Sequence, residues 1–189
     1  MVYNTEYYHT LQQAIKKHGG LHNAHLHLDR SNTLQQEFLE HVGINPLKAA
    51  SLPLKVKQSL TGDLHNGPAY EKKSLKIRMS QSLDAMVEIG TKRADSFIDT
   101  TADIGHRALD IALELKREYN KLIDFRIGAY PIFGFKDSEP QRWETFVEGA
   151  KKADYIGTLP ERDELKGHIG FDEHFRRVIK LAHELQKPL

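Results

Sequence analysis

The sequence predicts an α/β fold with a parallel sheet. Short strand-like runs fall at 21–28, 92–100, 123–130 and 153–159. Each is followed by apolar residues at helical spacing, and Gly or Pro separates the segments. Strands alternating with amphipathic helices imply right-handed crossovers and parallel pairing. A doubly wound sheet and a (β/α) barrel both meet this order, and in both, ligands gather at the C-terminal strand ends. Neither glycine-rich phosphate fingerprint follows a strand, which counts against nucleotide binding.

In chain order, residues 4–18 predict a helix with Tyr8, Leu11, Ala14 and Ile15 on one stripe, closed by Gly19-Gly20. After the strand 21–28, Ser31-Asn32-Thr33 offers caps for a helix over 34–42, ended by Gly43. Residues 44–70 hold Pro46, Pro53 and Pro68, and only 47–60 suggests a short helix. An insertion of that length points to a functional loop or a disordered one. Helix 71–90 carries Leu75, Met79, Leu83, Met86 and Val87, and the strand 92–100 follows. Helix 106–119 turns Ala108, Ile111, Ala112 and Leu115 inward, and Pro131 ends the strand 123–130. Helix 140–151, the strand 153–159, a polar loop to Gly170 and helix 172–186 complete the order. The last helix should bury Phe175, Val178, Ile179, Ala182 and Leu185. The expected organisation is one domain over 1–189: an N-terminal helix in 1–20, then four strands and their helices in 21–189.

With 27 Lys and Arg against 26 Asp and Glu, no basic footprint for nucleic acid or an anionic membrane is present. The absence of cysteine excludes disulfides and thiolate metal sites. No apolar run approaches membrane-spanning length and the N-terminus lacks a signal-peptide core, so the expected location is the cytoplasm.

The chemistry concentrates at His22-Asn23-Ala24-His25-Leu26-His27-Leu28-Asp29-Arg30. Strand side chains alternate, so His25 and His27 share a face, and two imidazoles at a strand end can hold one divalent metal. In a chain with 11 histidines, chance alone supplies roughly 0.6 such His-x-His pairs, so the context must carry the reading. That context resembles the first strand of the amidohydrolase superfamily, its cytosine deaminase-like branch in particular, which typically reads Asn-x-His-x-His-Leu-Asp. The adenosine deaminases are similar over His25 to Asp29. The later segments 94–100, 106–119, 123–131 and 153–160 follow in the same order and spacing.

The resemblance implies a (β/α)8 barrel with zinc or iron at the strand C-termini. Such a metal activates a water for attack on a C–N bond of a cyclic amidine or amide. It assigns His25 and His27 as metal ligands, and Asp29, Arg30, Tyr130 and Ile132 to the substrate side, with Asp29 and Arg30 at the mouth. Asp99, Thr100 and Asp103 are weighed between facing this site and capping or solvation. Tyr130, Phe133 and Phe135 are weighed between a pocket wall and packing under the loop. His22 is expected to face away from the pair, and His9, His18, His41, His65 and His106 are given no role.

The chain also departs from the family. About 250 residues and eight strands make a full barrel, and four strands are counted here. Lys187-Pro188-Leu189 lies where a fifth strand would begin, so the later histidines, the proton-shuttling glutamate and the eighth-strand aspartate are absent. His168, His174 and His183 sit in a loop, at a helix start and within a helix, and do not replace them. Ile132 stands where cytosine deaminases place glutamine, which argues against cytosine itself, and the β-rich front segment is missing.

The expected function is therefore the first half of a metal-dependent amidohydrolase or deaminase, with no catalytic residue in this chain and no activity on its own. The alternative is a non-catalytic, self-associating barrel remnant. A half-barrel has unpaired edges, so a homodimer is expected alongside a heterocyclic small-molecule substrate. A His-x-His phosphoesterase barrel fits less well, since Leu28-Asp29 replaces its Ser or Thr.

Overall fold

A computed structural model describes residues 5–189. The expected helix start at residue 4 and the side chain of His41 lie outside the described residues. The elements are α1 (Glu6–Lys17), β1 (Leu21–Leu26), α2 (Gln36–Leu39), α3 (Pro46–Ser51), α4 (Leu54–Asn66), α5 (Lys72–Ile89), β2 (Thr91–Asp99), α6 (Arg107–Glu118), β3 (Asp124–Tyr130), α7 (Gln141–Lys152), β4 (Tyr155–Ile156) and α8 (Phe171–Leu185). Short 3-10 turns cover Leu28–Arg30, Glu40–Val42, Pro68–Tyr70 and Pro160–Glu164.

The four strands form one parallel sheet in the order β1-β2-β3-β4. A doubly wound sheet reverses its order at a switch point, and this one does not, so it is the wall of a barrel. Ala94 and Ile98 of β2 and Phe125, Ile127 and Ala129 of β3 alternate onto one face and are almost wholly buried. Leu75, Met79 and Leu83 of α5, Ala112 and Leu115 of α6, Phe146 of α7 and Val178 of α8 belong to the same core. The opposite face carries Arg93, Asp95, Phe97, Arg126 and Tyr155. Gly128 sits there because any β-carbon would strike the Tyr155 ring.

Five expectations need correction. Helix 34–42 is only α2 plus a 3-10 turn, closed by Gly43 at φ 68°. The region 44–70 holds two helices, and α4 runs on to Asn66. Its buried positions include Thr61 and His65, so no apolar stripe announces it. β4 is just two residues, although Asp154 N and Gly157 N extend its bonding to the carbonyls of Ile127 and Ala129. α1 buries no residue, and Leu11 stays exposed. Ile179 of α8 is 53% exposed rather than buried.

Candidate metal centre

β1 ends in the His pair, and a register irregularity between Asn23 and Leu26 shapes that end. Asn23 donates to Met86 Sδ on the helix side, and Leu26 packs against the core. His25 and His27 turn to the other face. Their rings lie 5.4 Å apart and pack on Phe97 at 5.2 and 5.8 Å, with His27 also 4.9 Å from Tyr130. His22 does not face away: its Nε2 lies 3.0 Å from Asp95 Oδ2, on the Phe97 face. The irregularity breaks the simple alternation that separated His22 from the pair.

Burial, then the nearby Arg30 charge, lowers His27 to a pKa of about 4, so its imidazole is neutral, as a metal ligand must be. Its Nδ1 is buried with no hydrogen-bond partner. The donor set suits a divalent ion in kind but not in number. Two imidazoles are fewer than the three or four protein ligands of a zinc site, and among the described residues no group of three or more His, Asp or Glu is placed to hold a metal ion.

Beside the pair lies a buried ionic cluster. The chain turns immediately after His27, which places Asp29 under the sheet end with no exposure. Asp29 Oδ2 accepts from Asp99 N and from the Tyr70 hydroxyl, both at 3.0 Å. Asp99 closes β2 and is also fully buried. Its carboxylate accepts from Arg30 through both Nε, at 2.8 Å, and Nη2, and from His65 Nε2 at 3.1 Å. The other His65 nitrogen, Nδ1, donates to Asp103 Oδ2 at 2.6 Å.

The pKa directions follow from this geometry. Burial and the neighbouring Asp99 raise Asp29 to about 6. Burial alone would raise Asp99, but Arg30 and His65 hold it well below the usual carboxylate range. Burial alone would lower His65, yet its bonds to Asp103 and Asp99 lift it to about 9. Above about pH 6 the cluster thus sets three carboxylates, Asp29, Asp99 and Asp103, against two cations, Arg30 and His65, with the Tyr70 hydroxyl also donating to Asp29.

The expected mouth residues divide accordingly. Arg30 stays partly exposed, with its guanidinium 5.6 Å from the centre of the Tyr130 ring beside His27. Asp29 lies beneath the mouth rather than at it, and Ile132 is 1% exposed, with its carbonyl accepting from Arg162 Nε at 3.1 Å. Asp99 and Asp103 belong to the cluster; Asp103 makes no helix cap, since no side chain caps α6. Phe135 is core, whereas Phe133 packs on His65 and helps line a cavity of about 350 Å³ between the β2 and β3 ends.

His65 and Tyr70 were not anticipated. The available signal was their place in a long insertion straight after the His pair. A second buried histidine, His174, also went unassigned. Its Nε2 accepts from Leu159 N at 3.3 Å, so its Nδ1 donates to Asp163 Oδ2 at 2.6 Å, tying α8 to the turn at 160–164.

No family model matches the chain. An uncharacterized protein of Haemophilus influenzae is 28% identical over 155 residues, which is 82% of this chain and 52% of that protein. Among solved structures, 5-methylcytosine deaminase from Klebsiella pneumoniae liganded with phosphonocytosine is similar with a TM-score of 0.63 and 18% identity, over 88% of this chain and 37% of that one. N-isopropylammelide isopropylaminohydrolase from Burkholderia multivorans gives a TM-score of 0.64 and 18% identity, over 88% and 38%. The chain therefore spans about half the length of the curated relative and under two fifths of these enzymes. The likeness shows the fold: a four-stranded parallel α/β sheet matching the N-terminal part of their barrels. Among the described residues no helix is long and apolar enough to cross a membrane.

Proposed function

We propose that this chain is the first half of an amidohydrolase-type barrel whose complete form hydrolyses a C–N bond in a heterocyclic amidine or amide. The observation that carries the reading is the position of His25 and His27: two imidazoles packed together on one face at the C-terminal end of the first strand. In this reading they are the first two ligands of a zinc or iron centre. Arg30 and Tyr130, beside His27, contact the substrate, while Asp29 holds the strand end from below. The similarity to a 5-methylcytosine deaminase and an N-isopropylammelide isopropylaminohydrolase supports the substrate class.

The described residues supply too few donors for a closed metal site, and no step of hydrolysis is assigned to them. The second reading, a non-catalytic self-associating remnant in the cytoplasm, is favoured by that same shortage. Metal analysis of the purified chain beside a deaminase screen of pyrimidines and triazines separates the two. Metal retained through His25 and His27 supports the first reading. Substantial turnover by the 189 residues alone would refute the view that the site is incomplete.

A further inference from the structure

We infer that the cavity of about 350 Å³ between the β2 and β3 ends is a separate small-molecule site, and that it takes a neutral cyclic amide, a ring with an N–H donor beside a carbonyl. The inference is independent of how His25 and His27 are read, since neither lines the cavity. The volume lies at the small end of the range for ligand pockets, which suits a single ring.

The walls are preformed. The Phe133 ring packs on His65 at 5.4 Å, and Phe135 packs on Trp143, Phe146 and His174 at 5.0, 5.2 and 5.1 Å. Between the two phenylalanines Gly134 holds φ 63°, and a β-carbon there would strike Asp163. Asp163 Oδ1 accepts from Phe135 N at 2.7 Å, so the loop is pinned by a group that does not itself line the cavity. Pro131 and Ala102 complete the apolar lining.

Two polar groups supply the chemistry. Asp103 accepts from His65 Nδ1 at 2.6 Å on one oxygen and from the Thr101 hydroxyl on the other, and each oxygen keeps a second lone pair. Its side chain is 27% exposed. Arg142 donates through Nε to Glu139 at 2.6 Å and through Nη1 to the Phe133 carbonyl at 2.8 Å. Among the described residues its Nη2 has no partner. An acceptor and a free donor thus line one small apolar-walled space. Each carboxylate of the lining already has its cation: Asp103 has His65, and Glu139 has Lys136 and Arg142. An entering ion would lose its hydration without gaining an unpaired counter-charge. A neutral ring that donates to Asp103 and accepts from Arg142 Nη2 loses far less. Occupancy also bears on the His27 side, because His65 joins Asp103 to Asp99, and Asp99 holds Arg30 beside Tyr130.

The test is an NMR titration of the isotope-labelled 189-residue chain with 2-pyridone, which carries one N–H next to one carbonyl. Trp143 is the only tryptophan and packs on Phe135, so its indole N–H reports on the cavity. The expected result is saturable shifts of the Trp143 indole, the Gly134 amide and the His65 ring, with a Kd in the millimolar range or below. N-methyl-2-pyridone, which lacks the donor, should bind about tenfold or more weakly, as should benzoate and benzylammonium. Ala102→Leu, at an exposed position, should fill the space and weaken 2-pyridone about tenfold or more. Arg142→Met, which keeps the stem and removes the donors, should weaken it about fivefold or more. Absence of saturable shifts at Trp143 and Gly134, equal binding of N-methyl-2-pyridone or benzoate, or unchanged binding by Ala102→Leu overturns the inference. Shifts centred on His25 and His27 instead also overturn it, while leaving the hydrolase reading standing.

Discussion

Raising the pH through 9 should remove most of the stability that His65 supplies at neutral pH. Its ring is fully buried, with Asp103 on one nitrogen and Asp99 on the other. Burial opposes the charged form, but the two carboxylates win and lift the pKa from 6.5 to about 9. Each pKa unit corresponds to about 1.4 kcal/mol, so this rise is linked to about 3 kcal/mol. A folded-state pKa above the unfolded value gives stability that is fully present below pH 6.5 and lost as the pH rises through about 9. Tyrosines and lysines elsewhere also titrate at alkaline pH, so the informative quantity is the difference between wild type and His65→Gln. Urea midpoints from pH 6 to 10 should show that gap shrinking by about 3 kcal/mol. In thermal melts the same change is roughly 6–12 °C for a chain of this size. A gap that stays constant across the range would refute the double ion pair as the source of His65's charge.

Other outcomes follow from the same geometry. Asp99→Asn leaves Arg30 and His65 facing a neutral amide in a buried site and should cost about 3–5 kcal/mol in urea unfolding. Tyr70→Phe deletes the hydroxyl that donates to Asp29 and should cost about 1–3 kcal/mol, measured the same way. Gly128→Ala drives a methyl group into the Tyr155 ring and should lower stability by about 1–3 kcal/mol, with a partial return when Tyr155 is shortened to Leu.

Much of the fold was legible because the strand and helix periods are clean where both faces of an element have distinct partners. β3, α5, α6, α7 and α8 begin and end within a residue or two of their expected bounds, since each has a continuous apolar face against one core. α4 was cut short because part of its buried side is polar: Thr61 and His65 are both buried, His65 within the ionic cluster, and hydrophobic periodicity has nothing to register there. His22 was assigned to the wrong face because a strand irregularity changes parity and leaves no mark in composition. Asp99 and Asp103 were visible as polar residues after a strand. Their partner was not, because His65 is 34 positions from Asp99 and 38 from Asp103. An ion pair formed across such a distance has no local sequence signature.

The long insertion after β1 finds its physical reason in what it covers. Asp29 and Asp99 bring two carboxyls together at the adjoining ends of β1 and β2, and two buried carboxylates side by side repel. Arg30, from the turn itself, answers only part of that charge. The insertion supplies the rest: His65 from the end of α4 and Tyr70 from the turn that follows it, with the Tyr70 ring packed 4.4 Å from that of His65. The bond from Asp99 N to Asp29 then ties the residue two beyond His27 to the end of the neighbouring strand. The orientation of His27 against Phe97 and Tyr130 is consequently held by groups some forty residues away in sequence. Loosening the insertion should move the His pair before it disturbs the sheet, because the strand core behind it is apolar and shares only its Tyr70 and Ala69 edge with the insertion.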